Sequence, residues 1–346
     1  MPMPSFCRHN RLVQNCPICS KEQDVEPRPL ISPSLPRGGL TQPHSATPRP
    51  RSGGRSAASR SASKGSRSAA GRGGSSAIRV RRLRSAVDDG YRSPLVPGLK
   101  SSEEAERLAL ELAFAAGRLQ ALSDDPPGLY GDLAAPTGDP EERTWLGFLI
   151  AYLGPLETVE DPFAAISAVR TSWASGELPV LDALQSGPRS AHDPGRGDST
   201  MRAYRAWAER AGSQSAAYLG DASWSAERRF ARVFERLALP GLHRAARFDL
   251  LVTLGRAGLY ELRPASLALG GGDKVTVAAK RALGIGDSLL LERRAAQLAQ
   301  ACDVPLEALD LGLENWDRDE RMRVGWGPDA EPDPDVAQSV RVALGL

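Results

Sequence analysis

The chain has 346 residues, and its 44 basic and 42 acidic side chains almost cancel to a net charge of +2. This balance hides a strong polarity, because residues 1–100 carry 18 Lys and Arg against five Asp and Glu, whereas the rest carries 26 against 37. Three of the four cysteines cluster near the start of the chain and leave only Cys302, so we expect no disulfide framework, and the longest apolar stretch, residues 146–156, is too short to span a bilayer. Residues 1–10 lack the apolar core of a signal peptide, so we expect a cytoplasmic protein that does not enter a membrane.

Three of the four cysteines and one histidine fall within thirteen positions near the start of the chain. Cys7 and His9 form a Cys-x-His pair, and Cys16 and Cys19 form a Cys-x-x-Cys pair after six intervening residues. Three thiolates and one imidazole are the closed tetrahedral ligand set of a structural Zn²⁺ site. A segment this short cannot bury a core, so metal binding would supply its folding free energy. We predict a zinc-binding module at residues 1–22; a redox pair, or incidental cysteines, is the alternative.

Residues 23–90 consist mainly of Pro, Ser, Arg, Gly and Ala. The stretch at 49–84 has no acidic and no aromatic side chain, so it cannot bury enough apolar area to offset the entropy of ordering. We therefore expect a disordered basic linker. A basic arm on an acidic body is typical of a nucleic-acid-binding protein, and DNA is the expected partner. The alternative is a solubilising tether that contacts its own acidic domain.

Helix start signals appear soon after this linker. Ser101 and Glu104 have the spacing of a capping box. Asp139 followed by Pro140 marks a second start, because proline is favoured at the first helical position. The helix that follows, at 140–154, is apolar nearly all round, which predicts that it is the central buried helix.

The helical pattern continues through the rest of the chain, and no run of β-branched residues alternates as a strand would. A third start signal, Asp161 and Pro162, opens a segment with apolar residues up to Trp173. Further helices are predicted at 200–211, 225–238, 242–256, 273–283, 288–301 and 305–315. We interpret residues 91–316 as one all-α domain, and residues 317–346, which contain three prolines before a segment that allows a short helix, as a loose C-terminal tail.

A Leu-Pro-Gly-Leu sequence at residues 239–242 joins two of the predicted helices. Such a turn is typical of a helix-hairpin-helix motif, in which backbone N–H groups at a helix N-terminus bind a DNA phosphate. Gly241 and Leu242 are the residues expected to contact it, although His243 replaces the usual second glycine. The alternative is an ordinary connection between two helices.

Three glycines at 270–272 precede Asp273 and Lys274, and glycine lets the backbone approach a phosphate closely. Asp273 is the candidate catalytic acid or base, and Lys274 is its cationic neighbour. Helix capping alone is the alternative role for Asp273, and also for Asp287. Four further cations are expected to neutralise phosphoryl charge. They are Lys280, Arg281, Arg293 and Arg294.

Residues 142–153, the turn at 239–242 and residues 273–316 together resemble the alpha-glutamyl/putrescinyl thymine pyrophosphorylase group, in particular its third clade. That group is similar to helix-hairpin-helix DNA glycosylases, and its members are implicated in the hypermodification of thymine-derived bases. The resemblance implies a glycosylase-like helical domain that acts on a phosphorylated or pyrophosphorylated 5-hydroxymethyl pyrimidine in DNA. The alternatives are a non-catalytic zinc-containing DNA-binding protein and a glycosylase-like base-excision enzyme.

We predict one tightly bound Zn²⁺ per chain. Elemental analysis of the purified full-length protein should find about one equivalent, since four soft ligands lie at zinc spacing. Cys16→Ser should lose the metal, because three ligands no longer close the tetrahedron. Cys302→Ser, which changes the one cysteine outside the cluster, should retain it. Full zinc stoichiometry in Cys16→Ser would overturn the ligand assignment.

Overall fold

The computed structural model describes residues 87–157 and 160–346, which belong to one compact unit. Every regular element within these two ranges is a helix and none is a strand, so the predicted all-α class is confirmed for this part of the chain. The zinc-binding module at 1–22 and the basic linker up to residue 86 lie outside the described residues.

Twelve helices make up the described part of the chain. In chain order they are α1 Ser102–Asp124, α2 Leu129–Ala134, α3 Pro140–Leu153, α4 Ala164–Val169, α5 Gly197–Arg210, α6 Gln214–Leu219, α7 Ala226–Arg236, α8 Arg244–Arg256, α9 Lys274–Leu283, α10 Ser288–Ala301, α11 Ala308–Trp316 and α12 Pro334–Leu344. None of these helices combines the length and the apolar character needed to cross a membrane.

The helix α3 lies at the centre of the core, as its sequence predicts. Asp139 caps it by accepting the N–H of Glu141 at 2.9 Å, and Pro140 takes the first helical position, where no N–H donor is needed. All residues from 144 to 153 are buried. The helix packs against α2, α6 and α8, which explains why it is apolar on every side.

Aromatic rings join α3 to α5. Trp145 stacks on Phe148 with 5.5 Å between the ring centroids, and Phe148 stacks on Tyr204 of α5 at 3.7 Å. The polar atoms of these rings are also satisfied, because the Tyr204 hydroxyl donates to the side chain of Gln214 at 2.7 Å. The aromatic residues of α3 therefore lie at the centre of the core.

The capping box predicted for Ser101 and Glu104 does not form. Ser101 occupies the N-cap position but makes no side-chain cap hydrogen bond. Asp89 accepts the N–H of Ser102 at 2.9 Å instead, and Glu104 pairs with Arg281 at 3.4 Å. A carboxylate from the preceding segment has replaced the serine hydroxyl at the start of α1.

Residues 317–346 pack on the domain, whereas the sequence predicted a loose tail. Asp333 caps α12 and Pro334 is its first residue, which is the same Asp-Pro signal that starts α3. The helix packs along α1, and Arg341 donates to Glu106 at 2.8 Å from Nε. Three side chains of α12 are buried in this contact: Ala337, Val340 and Leu344. The sequence allowed a short helix after the three prolines, but it did not show that this helix packs on α1.

The remaining differences concern short elements. The helix predicted after Pro162 spans only Ala164–Val169, so Trp173 lies beyond it. The sequence missed Leu129–Ala134 and Gln214–Leu219, because six residues are too few to show a helical period. The six helices predicted between 200 and 315 all occur, with ends displaced by at most three residues.

We predict that Leu149→Asp unfolds the domain. Leu149 is fully buried in α3, and an unpaired carboxylate there should remove more than about 4 kcal/mol from the free energy of unfolding. Val342→Asp on α12 is the matched control, because Val342 is 67% exposed. Thermal unfolding followed by circular dichroism measures both, and a near wild-type melting temperature for Leu149→Asp would show that α3 is peripheral.

Candidate functional site

A buried guanidinium group organises the most polar region of the interior. Arg189 is 5% exposed and contacts three carboxylates. Its Nε lies 2.8 Å from Oδ2 of Asp249 on α8, Nη2 lies 2.6 Å from Oδ1 of Asp310, and Nη1 lies 2.6 Å from Oε2 of Glu314. Asp310 and Glu314 are one turn apart on α11. One cation thus joins a loop to two helices.

The end of α3 positions this arginine. The N–H of Gly187 donates to the carbonyl of Leu153 at 3.0 Å, and the N–H of Ala191 donates to the carbonyl of Tyr152 at 2.9 Å. A Cβ at Gly187 would lie 2.0 Å from a main-chain carbonyl oxygen, so only glycine allows this close approach. The loop that carries Arg189 is therefore fixed to the central helix at two points.

A second buried guanidinium, that of Arg244, shares a carboxylate with the first. Its Nη2 lies 2.5 Å from Oδ2 of Asp310, and its Nε donates to the carbonyl of Leu267 at 3.1 Å. Burial alone would raise the pKa of Asp310, but the guanidinium groups of Arg244 and Arg189 hold that pKa below its ordinary value. Nη1 of Arg244 is buried with no hydrogen-bond acceptor among the described residues. The nearest carboxylate oxygen to it belongs to Asp273, at 3.8 Å.

These charges border a cavity of about 310 Å³, which we call the Arg244 pocket. Its walls are the loop before α5, the first turns of α8 and α9, and the last turn of α11. The lining residues are Pro188, Arg189, Ser190, His243, Arg244, Ala245, Gly272, Asp273, Lys274, Val275 and Glu314. The Lys274 side chain is 60% exposed, and its Nζ lies 3.6 Å from Oε1 of Glu314. The pocket therefore offers an exposed cation, Lys274, beside a buried one, Arg244.

Both candidate catalytic residues, Asp273 and Lys274, lie in this pocket. Asp273 also caps α9, since its carboxylate accepts the N–H of Thr276 at 3.2 Å and the hydroxyl of the same residue. Asp287 caps α10 through the N–H of Leu290 at 2.9 Å. The capping roles considered for both aspartates are present, and Asp273 in addition lines the cavity.

In the turn at 239–242, one of the two N–H groups expected to contact a phosphate is already engaged. The N–H of Leu242 donates to the carbonyl of Leu239 at 3.1 Å. Gly241 has φ +78°, and a Cβ there would lie 2.3 Å from the hydroxyl of Thr200, so the turn packs against α5. The start of α8 follows directly at His243, whose side chain makes no cap hydrogen bond.

Arg281 serves the core rather than the pocket. Its guanidinium lies 3.9 Å from the ring centroid of Trp316 and pairs with Asp317 and Glu104. Trp316 is buried, and its Nε1 donates to the carbonyl of Glu104 at 3.0 Å. Arg281 does not line the Arg244 pocket, and its role in neutralising phosphoryl charge stays a prediction.

The other three predicted cations flank a second turn between helices, at 284–287. Lys280 lies in the last turn of α9 before this turn, and Arg293 and Arg294 are exposed on α10 after it. Gly284 adopts φ +65°, and a Cβ on Gly286 would meet nothing within 4 Å. Three of the four residues at 284–287 are exposed, against one of the four at 239–242.

The predicted metal ligands Cys7, His9, Cys16 and Cys19 lie outside the described residues. Within 87–157 and 160–346, no group of three or more His, Cys, Asp and Glu side chains is arranged to hold a metal ion.

Sequence reasoning missed the charge cluster, although one signal pointed to it. Every residue of α11 is buried, including Asp310 and Glu314. Two acids one turn apart on an otherwise apolar helix require buried cations. The sequence shows this requirement, but it does not show that Arg189 and Arg244 meet it, because these partners lie 121 and 66 positions before Asp310.

We predict that Arg189→Met lowers the free energy of unfolding at pH 7 by about 3–5 kcal/mol, because three carboxylates lose their shared cation. The lowered pKa of Asp310 means that wild-type stability is lost as pH falls through that pKa. Without Arg189 the pKa rises, so the loss should begin at a higher pH. Urea unfolding between pH 2 and 8 measures this, because the lowered pKa of Asp310 lies below 3.8, and the 73%-exposed Arg202 changed to Met is the control. Equal stability of Arg189→Met and Arg202→Met would contradict the network.

Comparison with known proteins gives no relative for this site. No protein-family model, no curated protein and no solved structure matches the chain. The resemblance to the alpha-glutamyl/putrescinyl thymine pyrophosphorylase group therefore stays a prediction, and the geometry of the Arg244 pocket carries the functional argument.

Proposed function

We propose that the protein acts on a phosphorylated or pyrophosphorylated 5-hydroxymethyl pyrimidine in DNA, with the reacting group in the Arg244 pocket. One observation carries this proposal. The first turn of α8, which follows the Leu-Pro-Gly turn, and the first turn of α9, which carries Asp273 and Lys274, line the same cavity. The sequence indicated these two segments for separate reasons, and a shared cavity gives them a shared ligand.

The electrostatics of the pocket suit phosphoryl oxygens. The N-terminus of α8 has no side-chain cap, and the partial positive charge of a helix N-terminus favours anions. Arg244 adds a buried N–H without an acceptor, and Lys274 adds an exposed ammonium. Charge-assisted hydrogen bonds from these groups would hold a phosphate or pyrophosphate more tightly than a neutral ligand.

The proposed step replaces the phosphate on the base. The bond between the 5-methylene carbon and the ester oxygen breaks, and the leaving phosphate or pyrophosphate takes the electron pair. Water or an amine forms the new bond to that carbon and gives its proton to Asp273. Lys274 and Arg244 stabilise the negative charge on the leaving group. The base must leave the helical stack to reach the pocket.

DNA backbone contacts are assigned to the surface around the turn at 284–287. Gly286, where a Cβ would meet nothing within 4 Å, leaves room for a phosphate, and Lys280, Arg293 and Arg294 flank the turn. Such contacts position the duplex without reading its sequence. The basic segment at 49–84 would add salt-dependent, non-specific affinity.

A non-catalytic DNA-binding protein is the second candidate, and one observation favours it. Both carboxylates that line the pocket are already engaged: Asp273 caps α9, and Glu314 contacts the Arg189 guanidinium. A general base with such partners is weakened, because hydrogen bonds and cations stabilise its ionised form. In this case the pocket would bind the modified base without changing it.

We predict turnover that depends on Lys274. The substrate is duplex DNA in which one 5-hydroxymethyluracil carries a phosphate or pyrophosphate, with water or a simple amine as acceptor. Lys274→Ala should reduce release of the phosphate or pyrophosphate by about 10²–10³-fold, and Asp273→Asn should also abolish release, while DNA affinity changes little. Mass spectrometry of the digested nucleosides identifies the product. Lys100→Ala is the matched control, because Lys100 is exposed and does not line the pocket.

Each other outcome has a defined meaning. Binding of this DNA with no product from the wild-type protein would favour the non-catalytic candidate. Abasic sites in place of a modified base would favour base excision. Wild-type turnover in both Lys274→Ala and Asp273→Asn would contradict the assignment of chemistry to this pocket.

A further inference from the structure

A second cavity adjoins the Arg244 pocket. It has a volume of about 580 Å³, and we call it the Arg323 pocket. Pro188 lines both cavities. Arg318, which lines the second cavity, lies 3.4 Å from Oε1 of Glu314, which lines the first. The two cavities are therefore neighbours that share a wall.

Three guanidinium groups line the Arg323 pocket, and they differ in their partners. Arg321 donates to Glu111 from Nε at 2.9 Å and from Nη2 at 3.0 Å, and Arg318 contacts Glu314. The Arg323 side chain makes no hydrogen bond or ion pair with any described residue, and its Nε–H is buried without an acceptor. A shielded donor without a partner is unfavourable, so Arg323 is the guanidinium of the three that is available to an external anion.

The carboxylates of this cavity do not neutralise Arg323. Glu157 accepts the main-chain N–H groups of Arg323 and Val324 at 2.8 Å and 3.0 Å. It therefore fixes the backbone that carries the arginine and leaves the guanidinium unpaired. Glu320, the other carboxylate of the lining, belongs to an exposed residue. The cavity thus keeps one cation available in a defined position.

We infer that the Arg323 pocket binds the DNA phosphate next to the reacting nucleotide on the same strand. The inference rests on the proposed function, since it takes the Arg244 pocket as the place of the reacting group. Neighbouring phosphates follow a nucleotide at short spacing, and the two cavities are close enough to share Pro188 in their linings. A guanidinium suits a phosphodiester, because its fork of N–H donors can meet two phosphate oxygens at once.

The test neutralises phosphates one at a time. A fluorescent oligonucleotide carries one phosphorylated 5-hydroxymethyluracil, and each neighbouring phosphate is replaced in turn by an uncharged methylphosphonate. Arg323→Gln in the full chain should weaken binding of the unsubstituted oligonucleotide about tenfold, the effect of one lost charge-assisted hydrogen bond. Methylphosphonate at the contacted position should weaken wild-type binding by the same factor and leave Arg323→Gln unaffected.

Two variants keep the result interpretable. Arg323→Lys retains the charge and should recover part of the affinity, which a merely structural role would not explain. Arg232→Gln removes an exposed arginine that pairs with Glu235 on α7, and it should respond to every methylphosphonate as the wild type does. Melting temperatures of all variants separate a lost contact from a lost fold.

The two proposals fail in different ways. Turnover without coupling between Arg323 and any phosphate position would overturn the Arg323 subsite and leave the proposed function intact. Coupling without turnover would reject the chemistry and support a phosphate subsite. Tighter binding of a polyglutamate peptide than of the oligonucleotide, lost in Arg323→Gln, would overturn DNA as the ligand of this pocket.

Discussion

The buried guanidinium of Arg189 is the contact on which the candidate site depends. It comes from a loop without regular structure, and its three carboxylate partners come from α8 and α11. A buried ion cluster gives little net stability over apolar packing, but it is strongly disrupted when one member is removed. Its effect here is geometric: the loop, α8 and α11 keep one relative arrangement, and the cavity between them keeps its walls. The central helix takes part indirectly, because its last carbonyl groups hold the same loop.

The pocket combines a fixed and a movable cation. Arg244 is buried, stacks over the Phe248 ring at 4.9 Å and contacts Asp310, so its position is set before any ligand arrives. Lys274 begins α9 and is exposed, so it can follow a ligand. Rigid donors reduce the reorganisation that binding requires, and a flexible one can close on the bound group. A site that must hold a phosphoryl group and then release it benefits from both properties.

Local signals predicted much of the fold, and long-range contacts explain what they missed. Asp139 with Pro140 marked the start of α3, and the apolar pattern on all sides of α3 identified it as the central helix. Both signals lie in residues that are neighbours in the sequence. The sequence also allowed a short helix after the three prolines near the C-terminus, but not its packing on α1. Asp273 and Lys274, which the sequence indicated through their position after a glycine turn, line the Arg244 pocket. The sequence could not reveal Arg189, whose partners lie 60 to 125 positions away, and such pairings become visible only when the chain is folded.

Glu314 makes the two cavities electrostatically interdependent. Its carboxylate contacts Lys274 from one side and Arg318 from the other, while Arg189 holds it from within. An anion that draws Lys274 away would leave Glu314 to attract Arg318 more strongly. Arg318 would then be less free to meet an anion in the neighbouring cavity. Occupation of the two cavities is in this respect antagonistic, and linkage requires the penalty to be equal in both directions. Under the proposed function, a substrate that fills both cavities would have to overcome this penalty, and a product without its phosphoryl group would not meet it.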